Sequence, residues 1–323
     1  MRRWLMLLCC ALSPTLLQAA PGSLVLEYEN DIFAGEDSWY TNGFRASWIT
    51  EAPAWVHALL HGLGGEAGLV DPDATLSHGY SIGQSLYTPQ DISLQDPPLT
   101  DRPYAGWLSL STGIGETRNR SLRRLLLTVG VVGPASQGER VQREVHRLIN
   151  ARKPQGWDTQ LPNEPTLMLS YERVYRLWTA ESAGGWGVDL AAHAGIAIGT
   201  PFTLAGTGAT LRMGRHMPND YSPPRIQPAF PGSLLYGPAK RWGWYVFAGV
   251  DGQAKRYDLF LDGTLFRGSR SVEREPLVGE FLVGIAFANQ RIRISQTYTS
   301  RSREFVGQTS SEDYGAISLT VRW

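Results

Sequence analysis

Within the last ten residues of the chain, YGAISLTVRW, the final seven alternate. Ile317, Leu319, Val321 and Trp323 fall on one side, and Ser318, Thr320 and Arg322 on the other, which is the period of a strand with one apolar face. Such a face is buried either against a second sheet or against lipid. Composition favours lipid: 35 glycines, 11 tryptophans and 13 tyrosines suit a transmembrane barrel. No apolar run of the about 18 residues that a membrane helix needs follows residue 20.

The other end reads as an export signal. Arg2 and Arg3 precede an apolar run from Trp4 to Leu12, and small residues follow near Ala19 to Gly22. The expectation is a signal peptide over 1–20, cleaved somewhere between 19 and 22, and a single barrel domain over 21–323. Cys9 and Cys10, the only cysteines, lie inside that signal, so an exported domain folds here without disulfides. With 30 basic and 30 acidic residues the chain has no polyanion-binding excess, and no nucleic-acid partner is expected.

Between the ends lie twelve strand candidates, near 23–30, 40–50, 78–87, 107–116, 121–133, 165–178, 186–200, 203–216, 242–257, 271–287, 290–304 and 312–323. Each approaches the about 9–11 residues a tilted membrane strand requires. Val188, Leu190, Ala192, Ala194, Ile196 and Ile198 oppose Asp189 and His193, and Ile292 and Ile294 oppose Arg291, Arg293 and Ser295. Aliphatics outward and charges inward describe a barrel in lipid. The fold class expected is therefore all-β, a transmembrane antiparallel β-barrel of about 12 strands.

Counting parity from periplasmic termini puts the loops after the odd strands outside the cell. The longest of them, Gly133–Glu164, contains SQGERVQREVHRLIN. Ser136 and Glu139 have capping-box spacing, which predicts a short helix from Ser136 to Asn150 in an extracellular loop. Gln142 and His146 share one face of it with Glu139 and Arg143, while Val141, Val145, Leu148 and Ile149 give it apolar residues to be seated by. A periplasmic segment, Ala54–Gly64, carries His57 and His61 four residues apart without an acidic third ligand.

Three polar stretches meet on the extracellular rim. Glu29, Asn30 and Asp31 close the first strand opposite Tyr40, Thr41, Asn42 and Gly43; TDRPYAGW leads into the fourth; and the helical loop ends in GWDTQLPNEP. Oxygen donors around Asp31 and Thr41 suit a hard cation such as calcium, and a neighbouring imidazole suits activation of water, a combination able to hydrolyse an ester. A rival motif, Gly79-Tyr80-Ser81-Ile82-Gly83, has the G-x-S-x-G spacing of serine hydrolases but sits inside a strand rather than on a strand-to-helix turn.

Asn30-Asp31, Tyr40-Thr41-Asn42-Gly43, Asp101 to Trp107, Gly133-Pro134 through Gln142 to His146, Gly156-Trp157 and Asn163-Glu164-Pro165 together resemble the lipid A 3'-O-deacylase family of Gram-negative outer membranes. The resemblance implies a twelve-stranded outer-membrane barrel with a calcium-dependent site facing the outer leaflet. It implies His146 as general base with Gln142 beside it, and Asn30 and Asp31 around the cation and oxyanion with Thr41 close by. Glu29 is a further candidate metal ligand. The substrate implied is lipid A of lipopolysaccharide, and outer-membrane lipid surrounds the barrel. A terminal strand ending in Trp323 is expected to engage the barrel-assembly machinery, and the barrel is expected to be a monomer. Two departures stand out: loop 88–104 has no lysine, and Arg152 stands where an acidic residue is expected. The other readings are a silent structural barrel or narrow pore, and a serine-type outer-membrane phospholipase.

Overall fold

The computed structural model describes residues 22–31, 39–58, 73–221 and 241–323. The expected signal peptide, His61 and the side chain of Thr41 lie outside the described residues, so those expectations go no further here. Twelve antiparallel strands close into one barrel in which every strand pairs with its chain neighbours and β1 pairs with β12. They are β1 Gly22–Asn30, β2 Trp39–Glu51, β3 Thr75–Thr88, β4 Ala105–Arg118, β5 Ser121–Val132, β6 Glu164–Glu181, β7 Trp186–Gly199, β8 Phe202–Arg215, β9 Gly243–Asp258, β10 Leu277–Ala288, β11 Ile292–Arg301 and β12 Glu312–Arg322. Closure satisfies every edge, which a sheet in hydrocarbon requires.

The alternation read from the sequence sets which face is which. Along β6, Leu167, Leu169, Tyr171, Tyr175 and Leu177 are exposed, while Thr166, Met168, Ser170, Glu172 and Val174 are buried. Isolated aliphatics and aromatics on the outside are the lipid-facing wall. At the end carrying Gly22 and Arg322, Trp48 meets Trp323 at 4.8 Å and Trp186 meets Trp244 at 5.7 Å, part of an aromatic girdle. No described helix is long and apolar enough to cross a membrane.

Buried charge pairs line the interior. Arg45 binds Glu27 at 2.8 Å, and Arg124 binds Glu172. Arg212 joins Asp189 and Asp220, and Arg293 reaches Asp220 at 2.5 Å. All of these side chains are buried, so each pair is held by geometry that offsets desolvation. At the other mouth, Leu259–Asp262 forms one helical turn that drives Phe260 inward to stack on Tyr87 at 4.2 Å. Asp258 caps that turn, its side chain accepting from the Phe260 amide at 3.1 Å.

Two local expectations need correction. The tenth strand does not begin at 271 but at Leu277; before it, Glu273 to Pro276 break the apolar alternation and belong to the connecting loop. The loop helix runs Gly138–Ile149, and the capping box is not formed. Gln137 takes the cap position in a left-handed conformation (φ 60°), and Glu139 pairs forward with Arg143 at 2.7 Å. Ser136 still serves the helix start, because its hydroxyl accepts from the Gly138 amide at 3.3 Å.

Candidate active site on the outer wall

The chain leaves β5 at Gly133, whose φ of +93° suits glycine, and a Cβ there would lie 2.7 Å from backbone atoms of Leu161, Pro162 and Asn163. A 3-10 turn, Pro134–Ser136, then aims the helix back across β4 and β3. Gln84 donates to the Ser136 carbonyl at 2.6 Å. A Cβ on Gly106 would stand 3.0 Å from Gly138 Cα, and one on Gly138 would stand 2.8 Å from the Leu86 side chain. Gln84, Leu86 and Gly106 share a sheet face with the exposed Ile82 and Leu110. The helix therefore lies on the outside of the barrel, not over its lumen.

Its buried residues are Gly138, Gln142 and His146, one every four. Val141 packs beside them on Leu86, Tyr104 and Trp157, so the expected apolar seating holds at the start of the helix, while Arg143 and, at the far end, Leu148 and Ile149 are left exposed. Trp157 makes the burial of Gln142 possible. Fully buried and packed on Tyr104 at 5.0 Å, it donates its indole N–H to Gln142 Oε1 at 2.6 Å. That bond fixes the amide's orientation and leaves the buried Gln142 Nε2 without a hydrogen-bond partner among the described residues.

His146 is held in the same way. Its Nδ1 lies 2.5 Å from the Arg152 carbonyl oxygen. A carbonyl only accepts, so Nδ1 carries the proton and Nε2 is left with a lone pair. The Asn150 and Ala151 amides both donate to the His146 carbonyl, ending the helix so that the chain returns to place Arg152 there. The Arg152 side chain turns away to Asp91 at 3.5 Å. The departure at 152 thus leaves the imidazole oriented, because the backbone does the orienting.

The second polar group sits at the end of β1. Asn30 pairs in register with Asn42, Asn42 with Leu86, and Leu86 with Gly106, a row across four strands that leads directly to the helix start. Three strand spacings separate Asn30 from Gly106, about 14 Å. Asn42 donates to the Tyr28 hydroxyl at 3.1 Å, Asn30 bonds the same hydroxyl, and the Asp31 charge acts on it. Tyr28 alternates with the inward Glu27, so Asn30 and Asn42 belong to the outer wall, as the helix does. Asp31 is fully buried.

A model of the LpxR family, described as outer membrane protein LpxR, matches residues 4–323. The chain belongs to this family.

Its barrel superposes on the solved structure of LpxR from Salmonella typhimurium with a TM-score of 0.76 and 21% identity, covering 93% of this chain and 99% of that one. The β domain of the Bordetella autotransporter BrkA gives a TM-score of 0.46 at 8% identity, covering 94% of this chain and 98% of that one. No curated protein matches in sequence. Membership of the LpxR family agrees with the lipid A 3'-O-deacylase resemblance read from the motifs, and with the family's barrel goes an outer-membrane location.

Within this LpxR-family wall the structure groups Gln142 with His146, and Asn30 with Asp31. It does not bring Glu29 to them: Glu29 alternates with Asn30 and follows Glu27 onto the inner face. Thr41 falls at a bulge where the β2–β3 ladder steps from Tyr40 to Asn42. The hard oxygens on the outer wall are therefore the amide oxygens of Asn30 and Asn42, with the buried Asp31 carboxylate just past the strand end and near enough for its charge to act on Tyr28. Among the described residues no three His, Cys, Asp or Glu side chains cluster to hold a metal. Ser81 lies within β3 and not on a strand-to-helix turn.

Sequence reasoning missed Trp157 and Asn42 as working parts of the site. Trp157 was inside a motif but carried no titratable group to draw attention. Arg102 and Asp101 proved structural: Arg102 runs inward to Glu304 at 3.2 Å, and Asp101 accepts the Gln90 amide at 2.7 Å. Nor was the first hairpin with its neighbours the whole rim. The β11–β12 loop contributes Glu304, which binds Lys255 at 2.6 Å inside the mouth.

Proposed function

We propose that this protein is a lipid A deacylase that hydrolyses the ester of the 3'-linked acyloxyacyl chain, with its site facing the cell exterior. The observation that carries the reading is the oriented pair of Gln142 and His146, buried against the outer wall of the barrel at the end of the strands. His146 Nε2 takes a proton from water as the water oxygen attacks the ester carbonyl carbon. The Gln142 Nε2 amide donates to the carbonyl oxygen as charge develops there, its direction set by Trp157. When the tetrahedral intermediate collapses, the ester C–O bond breaks and His146 returns the proton to the leaving sugar oxygen. The acyl chain leaves as a carboxylic acid.

Asp31, Asn30 and Asn42 form a donor set of hard oxygens that fits calcium, with Thr41 next to them in sequence and Glu29 outside the set. A calcium ion held by these oxygens would supply electrostatic stabilisation of negative charge at the ester oxygen. Asn30, on the same wall, also presents an amide to the reacting carbonyl.

Mass spectrometry of lipid A from cells expressing the protein, with and without His146→Ala, tests the reading. Loss of one acyloxyacyl group with the native protein and an unmodified lipid A with the variant are expected, the variant remaining a heat-modifiable barrel. Equal deacylation by both would remove His146 from the mechanism.

A further inference from the structure

The loop helix is seated by Gly138, Gln142 and His146 with Val141 beside them, which leaves Leu148 and Ile149 at its far end without cover. Leu148 is 75% exposed and Ile149 51%, at the helix end farthest from the Gly106 contact. Around them the charge is one-sided. Residues 138–153 contain Arg140, Arg143, Arg147, Arg152 and Lys153 against Glu139 and Glu144, in a chain whose overall charge balances. Arg143 and Arg147 are paired with those two glutamates, while Arg152, 3.5 Å from Asp91, keeps 66% of its side chain exposed and open to a second anion. Arg140 and Lys153 are exposed and meet no carboxylate among the described residues.

Height along the wall decides what this surface meets. The helix starts against Gly106, and the exposed Leu110 stands four residues further down β4 on the same face. Four residues are about 13 Å of strand, or about 10 Å of height at the usual barrel tilt. The helix therefore lies just above the aliphatic wall, where a bilayer changes from hydrocarbon to phosphate headgroups. Two exposed aliphatics beside exposed cations are the composition of an interfacial helix.

We propose that the exposed end of the loop helix is a lipid-surface contact. Leu148 and Ile149 enter the hydrocarbon edge of the surrounding leaflet, and Arg140, Arg152 and Lys153 bind the phosphates of its headgroups. This contact stands whether or not the neighbouring site hydrolyses an ester.

Apart from Cys9 and Cys10 the chain has no cysteine, so a single probe is readily placed. Leu148→Cys, carrying an environment-sensitive fluorophore, is folded into phosphatidylcholine vesicles containing a bilayer-borne nitroxide quencher, with Ser310→Cys on the β11–β12 loop as comparison. Quenching at 148 at least threefold stronger than at 310 is expected. With phosphatidylglycerol in the vesicles, quenching at 148 deepens further. Changing Arg140, Arg152 and Lys153 to glutamine removes that increment while leaving the barrel heat-modifiable. A probe at 148 no better quenched than one at 310 overturns the contact, and an increment unchanged in the triple variant overturns its cationic half.

Discussion

The indole N–H of Trp157 and the side-chain oxygen of Gln142 meet at 2.6 Å in a fully buried setting, fifteen residues apart in the chain. Each is fixed by the other, and Trp157 rests on Tyr104 from the preceding rim loop. An amide whose orientation is set before the ligand arrives loses little on meeting a developing negative charge.

Trp157→Phe keeps most of the packing and removes the donor. One neutral hydrogen bond contributes about 1 kcal/mol, and the freed amide can turn. Deacylation is expected to fall about tenfold while the heat-modification midpoint shifts little. A variant with native turnover would show that the Gln142 orientation does not matter to the rate.

Gly106→Ala places a Cβ where the helix touches the wall, 3.0 Å from Gly138 Cα. Overpacking at such a contact costs about 1–3 kcal/mol. The strain falls on the seat of the helix rather than on the strand ladder, so activity is expected to drop by more than tenfold in a barrel with an unchanged circular dichroism spectrum. Full activity in a folded Gly106→Ala barrel would detach the helix position from catalysis.

Burial alone would raise the Glu304 carboxyl, but Lys255, Arg301 and Arg102 hold it well below the ordinary carboxylate range. A depressed folded value stabilises the native state above the unfolded value of about 4.3, and that stabilisation is lost as pH falls below it. The heat-modification midpoint is expected to drop between pH 6 and pH 3. In Glu304→Gln, which strips a partner from buried cations at a cost of about 3–5 kcal/mol, the midpoint is already lowered at pH 6 and changes less with acid. Parallel pH curves for the two proteins would exclude Glu304 as the source.

Ion pairs among the described residues, including Arg212 and Arg293 on Asp220, reach across the lumen. In planar bilayers the protein is expected to pass no steady current at neutral pH. A large, sustained conductance would show that these pairs leave a path.

The barrel was legible because its rule is local. Alternation every second residue needs only neighbours, so β7, β11 and β12 could be read from Val188 to Ile198, Ile292 to Ser295 and Ile317 to Trp323 without knowing what pairs with what. The tenth strand was misread at its start because Glu273 to Pro276 stand between a loop and a strand with no apolar period of their own. At the site, His146 and Gln142 were legible from spacing on a helix, and Asn30 with Asp31 from motif. Glu29 was placed with them by adjacency, yet adjacency in a strand sends neighbours to opposite faces. Trp157 and the Arg152 carbonyl were illegible for a different reason: one acts through a contact made across fifteen residues, the other through a backbone atom that every residue type possesses.

The position of the loop helix on the outside of the wall has a kinetic consequence. On the proposed function, a lipid ligand for Gln142 and His146 arrives by sliding within the leaflet and departs the same way, without threading the barrel. Encounter is then governed by how many lipid molecules occupy each unit of membrane area and how fast they diffuse sideways. Dilution of the surrounding water leaves it untouched, whereas dilution of the substrate among other lipids slows it in proportion.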